Sequence, residues 1–342
     1  MHCEVELDFS CKIEYDGKGL REESVLMTNT RDRKRKGILL TLLGGTLWGL
    51  CGSCGQFLMQ YKSVTSDWLV PWRLTLAGSV ILLFLAVTRK TQVLEVWKES
   101  RGRRDILIFS IFGMMLCQYS YFTTIQYSNA GTATVLQYTG PAMILVFLCL
   151  KNRRMPKAYE LAALFCSMAG TFVLATHGNP AELAIPAQAL FWGLAAAVTV
   201  VIYNLQPAWL MSRYSTLLTL GWGMLIGGIV LMLLRRPWRI HPVMDGETLL
   251  AMCFIVLFGT VCGFYFYLSG VKLVGAGNAS VLSCVEPVAA TVMSVVWLKV
   301  VFQPVDLMGF ALVLSAVLII SVNQAREERL MMPEIERRNT DG

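Results

Sequence analysis

Ten apolar blocks of about 20 residues set the limits on what this 342-residue chain can fold into. They lie near 37–59, 68–88, 106–127, 131–150, 158–176, 186–207, 214–234, 248–270, 277–298 and 305–323. A helix of that length crosses the roughly 30 Å hydrocarbon core of a bilayer. Several connections are too short to hold a soluble domain, so consecutive helices are expected to be antiparallel neighbours. The composition agrees, with 15% charged residues against about 25% in a typical soluble domain. The expected fold is an all-α polytopic membrane protein of ten transmembrane helices. A net charge of +7 does not point to nucleic acid, because the bases fall in short runs between apolar blocks instead of forming one patch.

Lys and Arg placement gives an orientation, since cytoplasmic loops retain them. From Arg31 onward, 21 bases fall on the side of the N-terminus and five on the other: Lys62, Lys299, Arg235, Arg236 and Arg239. Both termini are expected to be cytoplasmic, in a multi-pass plasma (inner) membrane protein. The arginine trio after the seventh block is a local exception that could mark a misplaced boundary. Residues 1–36 read as a polar N-terminal tail, with seven acids before Met27 and no signal peptide. Met27, followed by a basic run from Arg31 to Lys36, is a candidate true start. Residues 324–342 read as a polar C-terminal tail, disordered from Arg326.

The blocks repeat internally. Leu47-Trp48-Gly49-Leu50 recurs as Phe191-Trp192-Gly193-Leu194. Ala130 to Pro141 aligns without a gap on Ala276 to Pro287, an offset of 146, and the same offset sets Tyr121 on Tyr267. Two five-span halves follow, 37–178 and 179–323. Five is odd, so the second half enters the membrane from the opposite side. Such inverted repeats are common in alternating-access carriers, whose substrate sits near the midplane between the halves.

Two charged side chains fall well inside the blocks. Arg73 lies near the end of the second, after Asp67, Trp68 and Trp72, and reads as a cation snorkelling to the interface. Glu286 stands near the midplane, where a carboxylate is costly and usually faces a bundle interior or a water-filled cavity. Proton coupling or contact with a substrate amine is the functional expectation; a neutral carboxyl bonded to a neighbouring helix is the alternative. Ser280, Ser283 and Glu286 are three apart and share a helix face, as do Thr134, Gln137 and Gly140 in the first half. Pro141 and Pro287 hold equivalent places and are candidate helix breaks for gating, with a harmless kink the alternative. Trp48, Trp192, Tyr121, Tyr267, Tyr203, Gln56 and Asn204 are candidates for the rest of a cavity wall that mixes aromatic and hydrogen-bonding groups.

Other chemistries find little support. Gly45, Gly49, Gly52 and Gly55, with Cys51 and Cys54, give the first block a small-residue face suited to close helix packing. The cysteines show no zinc or disulfide pattern. His2, His177 and His241 lie at or beyond block ends, so neither a metalloprotease motif nor an intramembrane Ser-His pair is present. No GxxxxGK[ST] loop occurs, which argues against direct ATP drive. No cofactor, metal or enzymatic activity is expected.

These features together resemble the EamA-type members of the drug/metabolite transporter superfamily, over roughly 37–323. The resemblance rests on two five-span halves, the Trp-Gly pair early in each, and the Gly-x-Ala-x-x-x-Leu to Pro run in the fourth and ninth blocks. Trp72-Arg73-Leu74 and Glu286-Pro287 match positions common in that family, whereas Lys299 stands where members often carry an acid. The resemblance implies a secondary carrier that often exports amino acids or related metabolites, with Glu286, Gln137, Tyr121 and Trp48 near its cavity. The expected partners are a small-molecule metabolite and the lipid bilayer, with no nucleic acid; a homodimer is left open. A sugar or nucleotide-sugar exchanger is the alternative within the superfamily, and it would call for mid-span Lys or Arg that this chain lacks.

Overall fold

The computed structural model describes residues 19–88, 93–177, 179 and 184–340. Among them, nine helices are long and apolar enough to cross a membrane: Arg33–Tyr61, Ser66–Thr88, Ser100–Tyr127, Ala130–Lys151, Ala158–Thr176, Ala187–Arg213, Thr216–Arg235, Gly246–Val274 and Pro304–Asn323. The remaining expected span is divided into Ala276–Ser283 and Val285–Val296. We number these spans first to tenth in chain order, the divided one being the ninth. The seventh span ends at Arg235, so the arginine trio does not reflect a misplaced boundary. Outward-facing Leu83, Phe165 and Leu250 are each at least two-thirds exposed, an apolar surface suited to contact with lipid.

The fourth span is divided as well, into Ala130–Gln137 and Gly140–Lys151. Pro141 and Pro287 explain where the halves restart. Each falls in the first turn of its second half-helix, where an amide has no intrahelical partner to lose. They begin new helices instead of kinking continuous ones. The third and eighth spans carry another matched irregularity: π-helical segments at Phe109–Met115 and Phe254–Cys262, starting 145 residues apart. A wider turn at equivalent places in both halves extends the repeat from sequence to backbone.

Neighbour relations obey the inverted repeat. The first span packs on the eighth and ninth, and its counterpart, the sixth, packs on the third and fourth. The second pairs with the seventh and the fifth with the tenth, across the pseudo-twofold axis. Glycine permits the closest approaches. A Cβ on Gly49 would lie 2.5 Å from the Glu286 carbonyl oxygen, and one on Gly193 would lie 2.5 Å from Leu136 Cδ1. The two Trp-Gly pairs thus mark where each half's leading helix meets the broken helix of the other half.

The ends differ from expectation. Residues 1–18 lie outside the described residues, and a helix runs from Gly19 to Tyr61 through the segment read as a polar tail. The last helix extends from Pro304 to Thr340, so the stretch from Arg326, expected to be disordered, is helical. Its Glu, Arg, Leu and Met residues are strong helix formers, and an existing helix propagates into them without a new nucleus.

Candidate functional site

A cavity of about 400 Å³ opens between the two halves. Its size falls within the roughly 300–1,000 Å³ of small-molecule sites. Trp48, Tyr121, Tyr138, Tyr203, Phe264 and Tyr267 supply aromatic wall, and Gln118, Gln137, Asn204, Thr216 and Ser283 add polar groups. Arg73 and Glu286 are its two charged lining residues. Of the residues singled out from sequence, the structure brings Glu286, Gln137, Ser283, Tyr121, Tyr267, Trp48, Tyr203, Asn204 and Pro141 to this wall.

Three candidates lie elsewhere. Gln56 is buried in a packing role: its Oε1 accepts from the Ala130 amide at 2.8 Å and from Ser294 Oγ at 3.2 Å, tying the first span to the fourth and ninth. Trp192 stacks edge-on against Tyr119 at 5.5 Å, away from the cavity. Pro287 is buried within the restarted ninth helix. The side chain of Ser280 lies outside the described residues.

The divided helices meet through one phenol. Tyr138, at the break in the fourth span, places its hydroxyl 2.9 Å from the Ser283 carbonyl and 3.0 Å from Glu286 Oε2. The Ser283 carbonyl lies at the end of the first half-helix, just before the break at Cys284. Beside this link, Tyr121 donates to Thr134 Oγ1 at 2.9 Å, and Thr134 donates onward to the Ala130 carbonyl. Trp48 packs against Phe264 and Tyr267 with ring centroids 5.0 and 4.8 Å away. Tyr138 was not legible as a site residue, because nothing in an aromatic residue beside Gln137 announces a helix break.

Arg73 overturns the snorkelling expectation. It is 4% exposed, and its guanidinium turns inward, with Nε donating to Thr260 Oγ1 at 3.0 Å and Nη1 to Gln118 Oε1 at 2.8 Å. Its Cζ lies 4.8 Å from the centroid of the Phe122 ring. The spacing of charges along one helix does not reveal this, since the turn inward depends on partners in the third and eighth spans.

Ion pairs join the halves on one face only among the described residues. Lys62 Nζ lies 2.6 Å from both Asp245 and Glu247 and Arg235 Nε lies 3.3 Å from Asp67, and a hydrogen bond of 2.7 Å joins His177 Nε2 to Asp306 on the same face. All belong to connections on the face opposite the termini, as span counting requires. The Arg235 pairing also accounts for one base of the exceptional trio. The cavity reaches the other way, to Met211 and Thr216 beside the connection between the sixth and seventh spans.

Lys62 and the Thr248 amide hold the Asp245 carboxyl down at about 2. A carboxyl depressed below its unfolded value of about 3.9 contributes stability that is fully present above that value. The contribution is lost only as pH falls through the folded value. The pair therefore stays charged at any physiological pH and ties the two halves together on this face. Lys62→Gln, which leaves Asp245 and Glu247 facing each other, is expected to speed alkylation of the cavity thiols Cys51 and Cys117 by an impermeant maleimide applied from that face. An unchanged rate would show that the pair does not hold the face closed.

A ten-span bundle of two inverted halves around a polar and aromatic cavity defines a membrane transport protein. The sequence pattern of the EamA-like transporter family matches residues 35–176 and 187–322, and the chain belongs to that family. It is 37% identical over 295 residues to the inner membrane transporter YicL of Salmonella typhimurium, covering 86% of this chain and 98% of that one. The transporter YwfM of Bacillus subtilis is 23% identical, covering 85% of this chain and 95% of its own. One solved crystal structure, 18% identical, superposes with a TM-score of 0.57 over 86% of this chain and 99% of the other, a likeness of fold alone.

Proposed function

We propose that the protein is a secondary carrier that exports small organic metabolites such as amino acids, by alternating access and with proton coupling at Glu286. The observation that carries this reading is the contact between Tyr138 and Glu286, which joins the broken helices of opposite halves at the cavity wall. One phenolic proton cannot serve two acceptors at once. With Glu286 ionised, Tyr138 donates to the carboxylate. With Glu286 protonated, the acid donates to the phenolic oxygen and Tyr138 turns to the Ser283 carbonyl, so the proton state of the site is written into the contact between the halves.

The directions follow from the same features. The excess of bases on the side of the termini supports a cytoplasmic location for both. The cavity would then be open to the cytoplasm and sealed outside by the ion pairs, the state in which an exporter loads. Small-molecule flux needs no resident cofactor. The test is counterflow in proteoliposomes across a panel of amino acids, purines and sugars: saturable uptake of at least one class, several-fold above empty vesicles, is expected. Flux no greater than that of empty vesicles for every compound, with folded protein, would defeat the carrier reading.

A further inference from the structure

We infer that Arg73 is the anion-binding residue of the cavity and anchors the carboxylate of a zwitterionic substrate, with Glu286 on the same cavity wall facing its cationic group. The proposal rests on the carrier reading above and deepens it.

The argument starts from an unbalanced charge. Arg73 is buried, yet its recorded hydrogen-bond acceptors are neutral, Thr260 and Gln118, and it enters no ion pair among the described residues. A guanidinium carries five N–H donors in a planar fork, so the two contacts leave donors over for a ligand. Thr260, Gln118 and the Phe122 ring fix the plane of the group, which is the preorganisation that bidentate carboxylate binding needs. A buried cation without a direct ion pair is costly, and an incoming carboxylate supplies that pair.

The repeat does not duplicate this charge. At repeat offsets of 144 to 146, the place of Arg73 falls on Leu217, Leu218 or Thr219, that of Gln118 on Cys262, Gly263 or Phe264, and Thr260 itself answers to Leu116, Met115 or Met114. The second half assembles the equivalent helices with no cation or partner amide. Glu286 has the same asymmetry, since its counterpart is Gly140. One cation and one carboxylate on the wall of a single cavity, each present in one half alone, complement a ligand that carries both an anionic and a cationic group.

The test is ligand-induced thermal stabilisation of the purified protein, using free amino acids and the matching amino-acid amides as probes. A ligand that binds only the folded form raises the apparent Tm. For the unaltered protein, the free acids that stabilise are expected to bind at least tenfold more tightly than their amides. Arg73→Gln is expected to abolish that preference while amide binding persists. Arg73→Lys keeps the charge without the fork and is expected to retain the preference with weaker binding; it also serves if Arg73→Gln does not fold. A preference that survives in Arg73→Gln, or the absence of any preference in the unaltered protein, overturns the proposal. If counterflow is measured for other classes while no free acid binds, the anion site fails and the carrier reading stands; absent flux for every compound defeats the carrier reading itself.

Discussion

Glu286→Gln is expected to leave a folded protein whose transport no longer responds to pH. The amide cannot exchange a proton, yet it keeps a similar shape and presents an oxygen to Tyr138, so the link between the broken helices survives in one of its two forms. In proteoliposomes with an imposed pH gradient, gradient-driven accumulation is expected to fall at least tenfold, while exchange between equal substrate pools continues. Tyr138→Phe removes the proton-reading partner and leaves the carboxyl in place, so pH dependence should persist with an altered midpoint. Undiminished accumulation driven by the gradient in Glu286→Gln would remove Glu286 as the coupling site.

The second large effect concerns assembly. At Gly49 a Cβ would come within 2.5 Å of the Glu286 carbonyl oxygen and 2.9 Å of both Ala289 Cβ and the Ala290 amide nitrogen. Backbone atoms cannot swing aside as a side-chain tip can. Gly49→Leu must therefore push the first span away from the ninth, and overpacking of this kind costs about 1–3 kcal/mol where neighbours can adjust. A lower apparent Tm and loss of most monodisperse protein on size-exclusion chromatography are expected. Gly246→Ala is the control, because a Cβ there meets nothing within 4 Å. Equal recovery of Gly49→Leu and the control would show that the close approach is dispensable.

What sequence disclosed about this fold follows from what a bilayer demands. Span length and charge-poor blocks are imposed by hydrocarbon thickness, so ten spans and two halves were legible from residue order alone. Glu286 was legible for the same reason: a midplane carboxylate has few uses. Helix rotation was not legible, because lipid and protein interior are both apolar and leave little contrast between the faces of a helix. Thus Trp192 and Trp48, each followed by Gly-Leu, part company, one packing on Tyr119 and the other lining the cavity. Gln56 looked like a cavity amide and proved to be the acceptor that closes the start of the fourth span. Arg73 was misjudged because its surroundings were judged along one helix, while Thr260 and Gln118 arrive from two others.

The two halves, alike in spans, breaks and π segments, also bear on how such a chain could have arisen. Two identical copies related by a twofold axis would carry every cavity charge twice, placing two cations or two carboxylates around one small space. Joining the copies in a single gene frees each to diverge, and here one has kept or gained Arg73 and the other Glu286. Covalent fusion thereby lets one cavity carry unlike charges, one from each half, an asymmetry that two identical copies could not specify.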